Sequence, residues 1–172
     1  MNRFSLCLFI LTIFISGVIT SCNKQDQNKP EDVLKQFLAA DLVGDHKKAY
    51  SFLSSTNKNN KPFEQYVSEK SKHTNSELAN LFIENTTHLI ENVEIDGDNA
   101  KIRVDTTTVD LEIITKEVAN ASLEAARMGK SFQDIQDDIV EKYKKQALPL
   151  NNYKSNHTLI KEKDGWKVLL NY

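Results

Sequence analysis

Apolar and polar positions alternate along the chain in three distinct ways. Phe4 to Ile19 is an apolar run of 16 residues preceded by Arg3, and Asn23 to Lys29 has no apolar residue at all. A run of 16 falls short of the roughly 20 residues an α-helix needs to cross the hydrocarbon layer. From Pro30 the apolar positions recur at three and four. Val33, Leu34, Phe37, Leu38 and Leu42 share one helical face, with Pro30 at its start, Glu31 and Asp32 in its first turn and Gly44 at its end. The same spacing predicts a second helix over Asp45 to Ser54, with Ala49, Tyr50 and Leu53 as its stripe. A polar loop is expected over Asn57 to Lys61. Pro62 then opens a short helix with Phe63, Tyr66 and Val67 inward, and Asn75 or Ser76 caps another whose buried set is Leu78, Leu81 and Phe82.

After Thr86 the period drops to two. This predicts a strand over Thr87 to Ile95, a tight turn at Asp96-Gly97-Asp98-Asn99, and a longer strand from Ala100 to Ile114. Ile102 and Val104 share one parity while Val109, Leu111 and Ile113 share the other, so a one-residue bulge is expected near Thr106 to Thr108. Residues 116 to 148 return to helix in two pieces split at Gly129. Ser131 and Asp134 have capping-box spacing, and Phe132, Ile135, Ile139, Val140, Tyr143 and Ala147 form one face before Pro149 stops it. Two closing strands, Tyr153 to Lys163 and Gly165 to Tyr172, are joined at Lys163-Asp164-Gly165, a strong hairpin signal.

The first segment has the parts of an export signal: a cationic start, an apolar core, and small residues before Cys22. Ile19-Thr20-Ser21-Cys22 resembles the bacterial lipobox, which implies cleavage between Ser21 and Cys22 and acylation of Cys22 by diacylglycerol, with palmitate-like chains. Two acyl chains suffice for stable anchoring, since each buried methylene contributes about 0.8 kcal/mol. The expected organisation is a signal peptide over 1–21, a lipidated tether over 22–29, and a single domain over 30–172. That domain would be held on a membrane of the bacterial cell envelope without spanning it; the sequence assigns no leaflet.

Charge and cysteine content narrow the chemistry further. Of the two cysteines, Cys7 leaves with the signal and Cys22 is consumed by lipid, which removes thiol nucleophiles, Cys-based metal sites and disulfides. Losing residues 1–21 also removes Arg3, so 21 basic residues face 24 acidic ones in the mature chain. Such a balance offers no electrostatic footprint for nucleic acid.

Two segments carry a further resemblance. The run from Pro30 to Leu38, followed by Gly44-Asp45-His46-Lys47-Lys48-Ala49-Tyr50-Ser51-Phe52-Leu53-Ser54, resembles the opening helices of small bacterial lipoproteins in the nuclear-transport-factor-two-like superfamily. Lys163-Asp164-Gly165-Trp166-Lys167-Val168 is similar to that superfamily's closing hairpin. The resemblance implies an α+β, cone-shaped, cystatin-like roll, with N-terminal helices packed on a curved antiparallel sheet. This chain departs from that plan by a helical insertion, 116–148, between its second and third main strands.

Because relatives of that fold include isomerases and dehydratases, a titratable group in the cone must be sought. Candidates by parity are His88, Asp105, Asp110 and His157. Both aspartates alternate with apolar neighbours and are placed on the solvent face, and His157 is expected to be exposed or at an edge. No metal signature appears, because His46, His73, His88 and His157 stand singly, and Asp96 to Asn99 lacks the further ligands of a calcium loop. What is left is a possible pocket lined by Tyr50, Phe63, Tyr66, His88 and Trp166. The expectation is a non-catalytic binding domain without a cofactor. Its partner would be a small apolar ligand or an envelope protein. The alternative is a lyase or isomerase of the same fold with a His or Asp base.

Overall fold

The structure, a computed structural model, describes residues 29–70 and 77–171. The expected signal, the expected cleavage at Ser21 and lipidation at Cys22, the expected cap at Asn75 or Ser76, and His73 lie outside the described residues. Seven helices and four strands are present among them: α1 Pro30–Leu42, α2 His46–Ser51, α3 Ser55–Asn60, α4 Phe63–Lys70, α5 Glu77–Glu84, β1 Thr87–Asp96, β2 Asn99–Val109, α6 Leu111–Met128, α7 Phe132–Lys145, β3 Leu150–Glu162 and β4 Gly165–Leu169. The strands form one antiparallel sheet in the order β1-β2-β3-β4. The fold class is α+β, and α6 and α7 form the insertion between the second and third strands. No described helix is long and apolar enough to cross a membrane.

Period-two patterning decides which face of the sheet the helices cover. Ala100, Ile102, Val104 and Thr106 alternate on one side of β2 and are buried, whereas Lys101 and Arg103 between them are exposed. Residues directly paired across strands share a face. The helix-covered face therefore reads, in successive rows, His88–Thr106–Tyr153, Ile90–Val104–Ser155, Val93–Ile102–His157 and Ile95–Ala100–Leu159. On one half of it α1 buries Val33, Leu34, Phe37 and Ala40 against Ile102, Val104, Leu159 and Val168, joined by Ala49, Leu53, Tyr66 and Trp166. A second, smaller cluster forms where β2 ends, from Val109, Ile114, Ile139 and Tyr143, with Leu78, Leu81 and Phe82 of α5 packed against it.

Four local expectations are corrected. Residues expected as a polar loop form α3, because Ser54 caps it by accepting the Asn57 N–H at 3.1 Å. Asn57 is itself buried, and its side-chain amide pairs with the Leu170 backbone as a neighbouring strand would: Nδ2 donates to the carbonyl at 2.7 Å, and the Leu170 N–H donates to Oδ1 at 2.9 Å. Secondly, α2 ends at Ser51, because the next residues are drawn to β4. Ser54 N–H donates to Val168 O and Val168 N–H donates to Phe52 O, both at 2.9 Å, and Leu53 bridges Val168 in parallel.

Thirdly, β2 stops at Val109 and carries no bulge. Its register with β3 is unbroken from Asn99 to Val109, and the irregularity lies in β1 between Ile90 and Asn92. The parity change read as a bulge is the onset of a helix: Asp110, expected in a strand, accepts the Glu112 and Ile113 N–H groups at 3.0 and 3.1 Å and starts α6. Fourthly, Phe132 is exposed and Ala147 lies beyond the end of α7, so the buried face of that helix is Ile135, Ile139, Val140 and Tyr143. The capping box does form: Ser131 Oγ accepts the Asp134 N–H, and Asp134 accepts the Ser131 N–H at 2.8 Å. The two-residue turn between Asp96 and Asn99 is also present, with Gly97 at φ +56° where a side chain would be strained.

Candidate functional site

The five residues expected to line one pocket separate into two groups. Tyr50, Phe63 and Tyr66 meet edge-on or tilted, with ring centroids 5.2 Å apart for Tyr50–Phe63 and 5.4 Å for Tyr50–Tyr66. The two tyrosine hydroxyls are already used. Tyr50 donates to Lys61 O at 3.0 Å, and Tyr66 donates to Asp41 Oδ1 at 3.1 Å beside the Lys70–Asp41 ion pair. Trp166 is buried in the larger core under Lys161, whose Nζ lies 5.9 Å from the ring centroid. Tyr50, Tyr66 and Trp166 pack α2, α4 and β4 into the larger core, and Phe63 packs on Tyr50.

His88 stands apart from them on β1. It shares its row with Thr106, whose Oγ1 lies 3.0 Å from His88 Nδ1. On β3, His157 is half-buried on an interior strand and not at an edge as expected. Its Nε2 lies 2.9 Å from Ser155 Oγ. Each imidazole thus has one nitrogen held by a hydroxyl. Among the described residues, His88 Nε2 and His157 Nδ1 have no hydrogen-bond partner, and neither is sealed from solvent. Thr86 and Thr108 bond each other at 2.7 Å close to the His88 row and extend the hydroxyl lining.

The electrostatics of this patch come from burial. Desolvation pushes the His88 imidazole below its ordinary value; it does the same to His157, to which the nearby His88 adds repulsion. No carboxylate or ammonium of the described elements figures among these causes. Both shifts favour the neutral imidazole. A hydroxyl can donate or accept, so either tautomer satisfies it, and the free nitrogen can present a lone pair or an N–H.

The remaining aspartate candidates do not join this patch: Asp105 has the opposite parity on β2 and Asp110 is a helix cap. Among the described residues no three His, Cys, Asp or Glu side chains converge as metal ligands. The hollows among the described residues include one of about 340 Å³ between α6 and α7 beside Glu117, Ile139 and Lys142, and one of about 330 Å³ along α2, both shallow and open to solvent. Neither touches the histidines. His157 was legible only through register. Its own strand pattern is too polar to reveal an inward face, whereas pairing with Ile102 fixes it there.

No family model matches the chain, and no curated protein matches it. Solved structures with a similar arrangement include a candidate NTF2-like transpeptidase from Campylobacter jejuni, 22% identical with a TM-score of 0.42, over 84% of this chain and 100% of that one. A candidate ketosteroid isomerase from Shewanella frigidimarina is 14% identical with a TM-score of 0.40, over 83% and 93%. A candidate dehydratase of the NTF2-like family from Streptomyces avermitilis is 12% identical with a TM-score of 0.37, over 81% and 93%. At such identities a likeness of fold says nothing about chemistry.

Proposed function

We propose that the chain is a lipid-anchored protein of the bacterial cell envelope whose NTF2-like domain is a non-catalytic binding module. Its ligand is a small molecule taken at the His88–His157 face of the sheet. The anchor rests on Ile19-Thr20-Ser21-Cys22 at the end of the apolar run. The binding reading rests on one observation: two half-buried imidazoles, each fixed by a hydroxyl at one nitrogen and unpartnered at the other, stand on the helix-facing side of the sheet. An imidazole nitrogen that is open to solvent and bonded to no protein group can donate to or accept from a ligand.

Native mass spectrometry of the full chain, purified from its own host and released from detergent micelles, tests both parts. The expected spectrum shows an acylated Cys22 and a defined extra mass lost on collisional activation. An unmodified Cys22 would overturn the anchor. A protein with acyl mass alone would overturn the small-ligand reading and transfer the role to a protein partner.

A second reading has one observation in its favour. Burial favours the neutral form of His88, and its Nε2 is bonded to no protein group, which is the state a general base requires. On this reading the domain is a lyase or isomerase with His88 as base. Conversion of the captured molecule by the purified protein, abolished in His88→Gln, would decide for it.

A further inference from the structure

The His88–His157 face has a composition that selects among ligands. Counted along the rows, it presents Thr106, Ser155 and the phenol of Tyr153 beside the two imidazoles, and the intervening positions are Ile90, Val93 and Val104. It carries no aspartate or glutamate, although the chain as a whole has more acidic than basic residues. On the opposite face of the same strands the carboxylates of Glu91 and Asp105 are collected instead, with Glu91 paired to Lys154. We propose that this face captures a small organic carboxylate together with a proton. The inference rests on the binding reading above and adds the class of ligand.

The hydrogen bonds make that coupling possible. A neutral imidazole that accepts from a hydroxyl through one nitrogen can offer its N–H to an anion from the other. On protonation the hydroxyl turns round and accepts, so Thr106 and Ser155 remain partners of His88 and His157 in both charge states. Protonation therefore breaks no bond. It is opposed by desolvation and, at His157, by the neighbouring ring. An anion placed against these rings offsets both oppositions, and a neutral molecule offsets neither. Tyr153, half-exposed at the open end of the His88 row, offers an aromatic surface for the apolar part of the ligand. Among the described residues no carboxylate figures among the causes that set the charge of the two rings, so the imidazolium form has no counter-ion there.

The test uses the full chain in micelles of an uncharged detergent, with sodium benzoate as the carboxylate probe and benzamide as its neutral isostere. Imidazole C–H resonances are followed by NMR from pH 8 to pH 5, with His46, His73, His88 and His157 assigned through single His→Gln variants. The expected result is that benzoate raises the titration midpoints of His88 and His157 but not those of His46 and His73. Its affinity should strengthen about tenfold per midpoint unit gained, the conversion factor for one proton taken up on binding. The doubly substituted His88→Gln, His157→Gln protein should bind benzoate without pH dependence. Benzamide binding as tightly as benzoate would overturn the choice of an anion while leaving the face as a ligand site. Shifts from benzoate confined to other residues, or none up to 50 mM (roughly the weakest specific contact worth about 2 kcal/mol), would overturn the inference. The mass spectrum of the host-derived protein judges the binding reading independently.

Discussion

Replacing Asn57 by alanine tests how the edge of the sheet is closed. Asn57 is 2% exposed, and its amide donates to Leu170 O, accepts from Leu170 N, and accepts Ser54 Oγ at 2.7 Å. Alanine removes all three bonds while keeping the Asn57 N–H to Ser54 Oγ. Two side-chain to backbone bonds contribute about 1 kcal/mol each. The Ser54 hydroxyl, fully buried, then loses its acceptor at a further cost of about 1 kcal/mol, for a total of about 3 kcal/mol. For a chain of this size that corresponds to a Tm lower by about 6 to 12 °C. Urea titration followed by the fluorescence of Trp166, the single tryptophan, measures it within β4 itself. Asn57→Asp should lose at least as much, because a carboxylate oxygen would face the Leu170 carbonyl. A loss below about 0.5 kcal/mol in Asn57→Ala would refute the reasoning, since it would mean that water replaces the amide at no cost.

Three further outcomes are expected. Trp166→Ala, at a site 6% exposed, should destabilise by about 3 to 5 kcal/mol in the same titration, and a near-neutral result would remove that ring from the core. Because His88 and His157 are held below their ordinary value in the folded chain, the unfolded chain binds more protons; stability is full above about pH 6.5 and falls as the pH drops below it. Urea midpoints from pH 8 to pH 5 should therefore slope less in the His88→Gln, His157→Gln double variant, and equal slopes would refute the assignment. Cys22→Ala should leave an unlipidated precursor that partitions to the aqueous phase of a detergent separation, and unchanged partitioning would sink the lipobox reading.

Helices with a strong three-and-four apolar stripe were legible from the chain alone. Val33, Leu34 and Phe37 on α1, and Ile135, Ile139 and Tyr143 on α7, follow the period that burial of one helical face imposes. The Asp96–Asn99 hairpin and the Ser131–Asp134 capping box were legible too, because their chemistry is local: a glycine at positive φ, and a hydroxyl and a carboxylate one turn apart. So was the order of elements apart from α3, and with it the α+β class and the position of the helical insertion.

Contacts distant along the chain decided the rest. Asn57 reads as a loop residue because its partner, Leu170, lies 113 positions away. Val109, Leu111 and Ile113 continue an alternation that Asp110 interrupts by capping a helix, which no period reveals. His157 looks exposed within Ser155-Asn156-His157-Thr158, and only its register against Ile102 turns it toward the helices, where Ser155 fixes one nitrogen and His88 shapes its charge. Sequence determines periodicity and local hydrogen bonding, since both act within a turn or two of chain. Pairing register and burial belong to the tertiary structure, because they depend on what the folded chain brings opposite each side chain.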